Sequence, residues 1–445
     1  MDFPLSPLDG RYAGKVAEIA PTFSEFGLMR YRTIVEIEWL LFLCEKNIAP
    51  DMPEELRTAL ALVAENFTTN EYEQIKAIEA TTNHDVKAVE MFIRTLVPED
   101  FWPWIHFACT SEDINNLSYA IMLAHGREAI LNTFDEVLEE LKNKAKDWKA
   151  TPMLCRTHGQ TATPSTMGKE FAIFASRLYE VLITIEETPI NGKINGATGT
   201  YSAHIAAFPE EDWIKHSHDF VTEKLGLNWN PLTAQIEPHD KQAALLNRIG
   251  LACSIFTDLS RDIWGYISLG FFGQKVVEGE VGSSTMPHKV NPIDFENAEG
   301  NFKLARGIAR TLSDELPISR WQRDLTDSTL QRNFGLVFGH FLLGLKSIQK
   351  GLGKLEIKED VLLKDLQNAP EVLTEAVQTV LRAHGHPDAY DQLKTFSRGQ
   401  ALTLEQVREF VSQTDLPDIE KKRLLTLTPE TYIGLAEALV DEFIE

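Results

Sequence analysis

An all-α fold is predicted by two features of this sequence. Two segments without proline, residues 104–151 and 239–286, carry apolar residues at spacings of three and four over many turns. This spacing is the period of one face of an α-helix, whereas the alternating polar and apolar pattern of a β-strand is scarce along the chain. Helices of roughly 30 residues pack nearly parallel to one another, so we expect a central bundle of long helices.

Five central helices are predicted, over about residues 110–148, 163–187, 240–266, 291–312 and 326–350. The first starts at Thr110, where Asp113 three residues later resembles a capping box. The second starts at Thr163-Pro164, which places proline at the first helical position. Asn291-Pro292 starts the fourth helix in the same way.

The two ends of the chain have shorter helical segments than the centre. Residues 1–98 hold shorter helical segments with polar breaks, and residues 353–445 hold short helices interrupted by HGHPDAY, TDLPDIE and TLTPE. We therefore predict three helical domains, an N-terminal one over 1–98, a central bundle over 99–352 and a C-terminal one over 353–445. The central helices have more than one apolar face, which predicts oligomerisation unless the end domains cover those faces.

The net charge of the chain limits the kinds of molecule that it can bind. The formal net charge is −23, which argues against nucleic acid, because binding to phosphate backbones needs a basic surface. An anionic small substrate would need its own arginine and lysine cluster.

The longest apolar run, WLLFLC at 39–44, is too short to cross a membrane. The N-terminus lacks the features of a signal peptide, and the cysteines stand apart in sequence, at Cys44, Cys109, Cys155 and Cys253. These observations predict a reducing, cytoplasmic location.

Five polar segments interrupt the helical pattern. TTNHDVKAVE at 81–90 and CTSEDINN at 109–116 are typical of helix caps with acidic first turns. In the first, Thr82 or Asn83 would start the helix. The hydroxyls of the second would equally suit a carboxylate or a phosphate at a helix N-terminus. In LCRTHGQTATPS at 154–165, His158 is either a structural histidine or a catalytic one, since a cation, a hydroxyl and an amide surround it.

The last two segments also admit two interpretations each. SRWQRDLTDSTLQRN at 319–333 is either a phosphate clamp or a salt-bridged surface turn. The clamp would use Arg320, Arg323, Ser328, Thr329 and Arg332, and the turn would use Asp324 and Asp327. VGSSTMPHKVNP at 281–292 is either a flexible surface connector or a mobile loop that brings two hydroxyls and a lysine onto the bundle. The chain lacks P-loop, HExxH, GxSxG and GxGxxG motifs, so the chemistries of those motifs lose support.

The residues GSSTMPHKVNP at 282–292 resemble the Gly-Ser-Ser-x-x-Pro-x-Lys-x-Asn signature of the fumarase/aspartase superfamily. Further segments, in family order and over nearly the whole chain, resemble the adenylosuccinate lyase family of the longer bacterial type. These are SPLDGRY (6–12), TTNHDVKAVE (81–90), HFACTSEDINNLS (106–118), RTHGQTATPST (156–166), KINGATGTY (193–201), QIEPHD (235–240) and SRWQRDLTDST (319–329). One departure is Val290, where many members of this family have arginine.

The resemblance implies an all-α homotetramer whose active sites each draw on three subunits. It implies anti β-elimination of fumarate from adenylosuccinate, giving AMP, and from succinylaminoimidazole-carboxamide ribotide, giving the carboxamide ribotide. Both reactions serve purine nucleotide biosynthesis. No metal and no organic cofactor are expected.

The resemblance also implies a role for each site residue. Ser283 would be the base and His158 the acid, with Glu296 pairing with that histidine. A serine can act as a base only in a closed, dry site, where Lys289 would stabilise the developing charge. The expected substrate-binding residues are Arg11, Tyr12, Asn83, His84, Asp85, Thr110, Ser111, Gln235, Asn291, Arg323, Ser328, Thr329 and Arg332.

Two rival functions remain open on the sequence alone. Another lyase of the superfamily, such as an argininosuccinate lyase, would share the signature, although the arginines of 319–333 favour a phosphorylated substrate. A silent structural protein on the same scaffold, like a lens crystallin, would not need the intact Ser283, Lys289 and His158.

Overall fold

The computed structural model describes residues 3–275, 286, 289–399 and 402–444. The chain is mostly helical, so the prediction of an all-α fold is confirmed. The N-terminal helices are α1 (Ala20–Phe23), α2 (Glu25–Glu45), α3 (Glu54–Glu65), α4 (Thr69–Thr82) and α5 (Asp85–Arg94). Short 3₁₀ turns occupy Ala13–Lys15 and Glu99–Trp104.

Long helices fill the middle of the chain. In order, the helices there are α6 (Ser111–Asp147), α7 (Met167–Glu186), α8 (Ser202–Ala207), α9 (Trp213–Asp219), α10 (Asp240–Ser268), α11 (Ile293–Glu315), α12 (Thr326–Gln331) and α13 (Phe334–Lys354). A π-helical turn, Phe220–Lys224, follows α9. The stripe predicted in the second proline-free segment is buried at Leu245, Ile249, Ala252, Phe256, Leu259 and Ile263. The spacing of apolar residues therefore located the buried face of α10 correctly.

The C-terminal helices are short. They are α14 (Glu359–Gln367), α15 (Leu373–Ala383), α16 (Ala389–Ser397), α17 (Leu404–Gln413), α18 (Asp418–Thr426) and α19 (Ala436–Ile444), with 3₁₀ turns at Pro370–Val372 and Pro429–Thr431. Helices α15, α16, α17 and α18 share one apolar core, to which Leu373, Val377, Leu393, Val411 and Leu424 contribute.

Strand structure among the described residues is limited to four pairs. The strands are β1 (Pro152–Met153), β2 (Arg156–Thr157), β3 (Gln160–Thr161), β4 (Ser165–Thr166), β5 (Asn191–Gly192), β6 (Asn228–Trp229), β7 (Phe272–Gln274) and β8 (Leu355–Ile357). The pairs β1–β4, β2–β3 and β7–β8 are antiparallel, and β5–β6 is parallel. These short pairs pin loops to the ends of helices.

Two of the predicted central helices differ from the observed ones. The helix expected from Thr163-Pro164 begins at Met167, because Ser165 and Thr166 instead pair with Met153 and Pro152. The helix expected over 326–350 is broken into α12 and α13. At the break, the N–H of Asn333 donates to the carbonyl of Leu330, which tightens the last turn of α12.

The chain divides into two compact units. The first comprises residues 1–134, 181–257 and 298–346, and the second 135–180, 258–297 and 347–445. The division into domains at 98/99 and 352/353 stays a prediction.

An aromatic core fills part of the first unit. Phe256 stacks on Phe302 with ring centroids 5.0 Å apart and lies 5.1 Å from Phe134. A Cβ at Gly344 would come within 2.6 Å of the Phe302 ring, so glycine lets α13 approach α11 this closely. In the second unit, Trp148 packs edge-on against Phe171 with centroids 5.0 Å apart. Within the described residues, no helix is both long enough and apolar enough to cross a membrane.

Candidate active site

Unusual backbone conformations occur in the segments whose sequences resemble a known family. Seven residues other than glycine adopt positive φ there: Asn83, His106, Ala108, His158, Tyr201, His239 and Trp321. The left-handed region costs such residues of order 1–3 kcal/mol each, and it persists where the surrounding structure enforces it, often at functional sites. These segments are therefore held by tertiary contacts rather than by local preference.

One polar cluster of the first unit centres on Asp85, and we call it the Arg332 cluster (Arg32, Asp85, Ser328, Arg332). The Asp85 carboxylate contacts Nη1 of Arg32 at 2.9 Å and Nη2 of Arg332 at 3.2 Å. Nη1 of Arg332 donates to Oγ of Ser328 at 2.8 Å. Burial alone would raise the pKa of Asp85, but the two guanidiniums bring it below the usual value of a carboxyl. Nε of Arg332 also lies 3.9 Å from Oε2 of Glu25, so the two guanidiniums of the cluster face two carboxylates.

The segment 81–90 joins two helices at this cluster. Asn83 ends α4 in the left-handed conformation, and Nδ1 of His84 caps α5 by accepting from the N–H of Lys87 at 3.1 Å. The N-cap of α5 is therefore His84, not Thr82 or Asn83 as predicted, because Asn83 is already the C-cap of α4. Asp85 lies in the first turn as expected and gives its carboxylate to the Arg332 cluster.

A second cluster of the first unit surrounds Arg323, and we call it the Arg323 cluster (Glu112, His239, Arg323, Asp327). Nη1 of Arg323 donates a hydrogen bond to Oε2 of Glu112 and lies 3.8 Å from Oδ2 of Asp327. Nε2 of His239 lies 3.2 Å from the same Oδ2. Burial raises the pKa of Glu112 even though the guanidinium of Arg323 lowers it. Nη1 of Arg320 likewise lies 3.3 Å from Oδ2 of Asp324, as the ion-paired interpretation of segment 319–333 expects, and the phosphate clamp stays a prediction.

The start of α6 lies beside the Arg323 cluster in sequence. The N–H of Thr110 donates to Oδ2 of Asp113 at 2.8 Å, which is one half of a capping box. Oδ1 of Asp113 also accepts from Nζ of Lys193 at 2.8 Å, in a pair that is fully buried. Thr110 and Ser111 are half-buried. The cap predicted for this segment is therefore present, and it is tied to the segment KINGATGTY.

Gln235 is connected to the same region through its backbone and its side-chain amide. Its N–H donates to the carbonyl of Gln322 at 3.3 Å, and its Nε2 donates to the carbonyl of Ala197 at 3.0 Å. The structure thus brings together segments 109–116, 193–201, 235–240 and 319–333, which the sequence separates widely.

The remaining predicted binding residues of the first unit are more exposed. Arg11 is exposed, and its guanidinium lies 5.7 Å from the centre of the Tyr12 ring. Arg332 lines a cavity of about 380 Å³ together with residues of the adjacent N-terminal segment, including Asp9 and Ser24. Thr329 is exposed, and its carbonyl accepts from Nδ2 of Asn333.

The predicted catalytic residues that the structure describes lie in the second unit. His158 and Gly159, both with positive φ, form the exposed two-residue turn between β2 and β3. Glu296 accepts a hydrogen bond from Nε1 of Trp264 at 3.1 Å. Lys289 is exposed, and its N–H donates to the carbonyl of Met286. Asn291 is half-buried just before α11. The described contacts include no hydrogen bond between His158 and Glu296. Ser283 lies outside the described residues.

Family models and relatives agree with this set of segments. A family described as Lyase matches residues 10–307, and one described as Adenylosuccinate lyase C-terminal matches residues 319–433. Curated adenylosuccinate lyases from Haemophilus influenzae, Vibrio cholerae and Escherichia coli are each 48% identical to the chain, over 98% of its length and 98% of theirs. The chain belongs to the adenylosuccinate lyase family. The resemblance drawn from the sequence is confirmed.

Solved structures support the fold of this adenylosuccinate lyase family member. A fumarate lyase from Mesorhizobium sp. BNC1 superposes with a TM-score of 0.76 at 19% identity, over 96% of this chain and 97% of that one. A 3-carboxy-cis,cis-muconate lactonizing enzyme from Pseudomonas putida has the same TM-score at 22% identity, over 96% of both chains. At these identities the likeness concerns the fold alone.

Sequence reasoning missed several residues of the two clusters in this adenylosuccinate lyase family member. Glu112 and His239 were not assigned a role, although they lie inside the quoted segments CTSEDINN and QIEPHD. Arg32 lies in the middle of α2, and nothing in its neighbourhood distinguishes it from other helix residues. Its role emerges only from its contact with Asp85.

Three residues of the Arg323 cluster have ligand atoms close enough together to contact one metal ion. Glu112, His239 and Asp327 each offer one such atom within 4.8 Å of the others. However, the guanidinium of Arg323 already brings a positive charge to Glu112 and Asp327. A metal ion would have to displace that side chain, so the donor set does not fit a resident metal.

Proposed function

We propose that this chain catalyses the anti β-elimination of fumarate from adenylosuccinate, giving AMP, and from succinylaminoimidazole-carboxamide ribotide, giving the carboxamide ribotide. The observation that carries the proposal is 48% identity, over nearly the full chain, to enzymes named adenylosuccinate lyase. The two arginine clusters support it, because a substrate with a phosphate and two carboxylates needs fixed cations on a chain whose net charge is −23.

The elimination requires a base, an acid and stabilisation of charge. Ser283, as its alkoxide, takes the proton from the carbon next to a carboxylate, and the resulting aci-carboxylate carries extra negative charge on oxygen. The C–N bond then breaks, its electron pair leaves with the nitrogen, and the carbanion pair forms the double bond of fumarate. Lys289 and Asn291, with Thr110 and Ser111 at the start of α6, stabilise that charge by preorganised donors. His158, oriented by Glu296, protonates the departing nitrogen.

The nucleotide end of the substrate is bound by the Arg332 cluster. Arg332 and the Ser328 hydroxyl are donors that lie 2.8 Å from one another, so one phosphate can reach both. Asp85 orients Arg332, and Arg32 offsets the negative charge of Asp85. Arg11 and Tyr12 complete the phosphate and ribose site. Asn83 and His84 contact the base and ribose, and Gln235 contacts the succinyl carboxylate.

A homotetramer with shared active sites is part of the proposal. His158 stands on an exposed hairpin turn, and a general acid works best in a site that excludes water. Several large apolar side chains of the central helices are about half exposed, namely Leu251, Trp264, Ile293 and Leu304. Surface of this kind is typical of interfaces between subunits. A second subunit would bury both features. The cytoplasmic location belongs to the same proposal.

A direct assay tests the reaction. The purified chain is incubated with adenylosuccinate while ultraviolet absorbance and liquid chromatography follow the substrate, AMP and fumarate. AMP and fumarate are expected in equal amounts. Argininosuccinate, run in parallel, tests the nearest rival and should remain intact. Turnover of argininosuccinate alone would assign the chain to that activity, and no turnover of any substrate by the folded chain would support a silent scaffold.

A further inference from the structure

Among the described residues, the guanidinium of Arg323 is held by other side chains at one nitrogen, Nη1. Its Nη1 contacts both Oε2 of Glu112 and Oδ2 of Asp327. Among the described residues, the structure gives its Nε and Nη2 no hydrogen-bond or ion-pair partner. Nε and Nη2 form one edge of the planar guanidinium, and two parallel N–H groups of this kind match two oxygens of a carboxylate or a phosphate. The anchored nitrogen thus leaves an intact binding edge.

The side chains that hold Nη1 of Arg323, which we call the anchor (Glu112, Asp327, His239), are buried. Glu112 is 2% exposed, Asp327 8% and His239 0%. Oδ1 of Asp327 accepts from the N–H of Ser328 at 2.6 Å, and Oδ2 meets Nε2 of His239 at 3.2 Å. The N–H of His239 in turn donates to Oε2 of Glu237 at 2.9 Å. Because each member is held by another element, the guanidinium has little freedom to rotate.

The charges of the anchor decide how it can act. Two buried carboxylates face one guanidinium, so removal of either carboxylate leaves the cation less restrained but also less neutralised. A loosened cation binds an anion with poorer geometry, whereas a less neutralised cation attracts it more strongly. The first effect predicts weaker binding after the carboxylate is removed, and the second predicts tighter binding.

We propose that Glu112, Asp327 and His239 are positioning residues that anchor Nη1 of Arg323, so that its Nε–Nη2 edge binds an oxyanion of the substrate with two parallel hydrogen bonds. This inference rests on the proposed function, since it concerns the same substrate. The oxyanion is either the 5′-phosphate or a succinyl carboxylate, and the two share the chemistry that the edge recognises.

Glu112→Gln tests the anchor, because glutamine keeps the shape and removes the charge. The KM for adenylosuccinate should rise roughly tenfold, because a poorly oriented Arg323 loses the equivalent of one hydrogen bond to a charged group, with kcat within about threefold of wild type. Glu90→Gln is the matched control: Glu90 is also a buried carboxylate paired with an arginine, Arg94, but the clusters do not include it. Its KM should stay at the wild-type value.

A cycle with Arg323→Lys shows whether Glu112 acts through Arg323. Lysine lacks the fork, so Glu112→Gln should add little to KM in that background. Full additivity would overturn the proposal, as would a lower KM for Glu112→Gln alone. A lower Tm with unchanged KM would mean that the cluster is merely structural, and would also overturn it.

Product binding identifies the oxyanion and separates this proposal from the proposed function. Calorimetry measures the affinity of AMP and of fumarate for the wild type and for Glu112→Gln. Weaker AMP binding assigns the edge to the phosphate, weaker fumarate binding assigns it to a carboxylate, and loss of neither overturns the anchor. If the wild type does not turn over adenylosuccinate, the proposed function fails, yet a difference in AMP affinity between the two proteins would still support the anchor.

Discussion

Replacement of Arg332 by alanine tests the phosphate site directly. The guanidinium is fixed by Ser328 at 2.8 Å and Asp85 at 3.2 Å, so a phosphate meets donors that are already oriented. A hydrogen bond to a charged group contributes about 1.5–3 kcal/mol. Because the Arg332 side chain is 38% exposed, solvent screening favours the lower part of that range. A loss of about 1.5–2 kcal/mol raises KM roughly 10- to 30-fold.

The effect on kcat and on stability should be small. The phosphate is remote from the breaking C–N bond, so the loss falls on substrate and transition state alike. Asp85 keeps Arg32 at 2.9 Å after the substitution, so no buried carboxylate is left alone. We therefore expect the free energy of unfolding to change by about 1 kcal/mol or less.

The assay is fumarate release at varied adenylosuccinate concentration, with circular dichroism melting of each variant. Arg310→Ala is the matched control, since it removes the same charge from a side chain that is 82% exposed and paired only with Asp314 among the contacts described. Its KM should equal that of the wild type. A fall in kcat at unchanged KM for Arg332→Ala would refute the reasoning and would place Arg332 at the reacting end of the substrate.

Three further predictions concern assembly, pH and packing. Ser283→Ala and His158→Ala should each lose about 10²–10⁴-fold in activity. If active sites are shared between subunits, an equimolar mixture of the two variants that is denatured and renatured should regain about a quarter of the sites. Activity that stays at the level of the single variants after proven subunit exchange would contradict sharing. Glu36 lies 2.6 Å from Nδ1 of His106 and raises the pKa of that imidazole although burial opposes it. The pair therefore stabilises the folded state fully below the pKa of the unfolded histidine, about 6.5, and loses this contribution as pH rises through the higher folded pKa. The Tm deficit of His106→Asn should accordingly shrink from pH 6 to pH 9, and a constant deficit would argue against the ion pair. The hydroxyl of Tyr119 is buried without a hydrogen-bond partner in the described part of the chain, and burial raises its pKa to about 12. Tyr119→Phe should leave the Tm unchanged or higher, whereas a clear decrease would mean that the hydroxyl is satisfied.

The local parts of this fold were predictable because they depend on neighbouring residues. Apolar residues three and four apart identified α10 and its buried face, and Thr110 with Asp113 identified the start of α6. Errors arose where distant residues intervene. Pro164 looked like a helix start, but the following residues, Ser165 and Thr166, pair with β1 instead. His84 became the cap of α5 because α4 had already used Asn83.

The sequence by itself determined the helical class, the family and the chemical types of the site residues, since motifs and helical period are local properties of the chain. Only the tertiary structure decided which charges meet. Asp85 and Arg332 are 247 positions apart, and Glu112 and Arg323 are 211 apart. No local pattern specifies such pairs, because the choice of partner depends on how helices pack and which carboxylates become buried. The sequence predicted Arg323 as a substrate-binding residue, and the tertiary structure added that one of its nitrogens is anchored while one edge stays available.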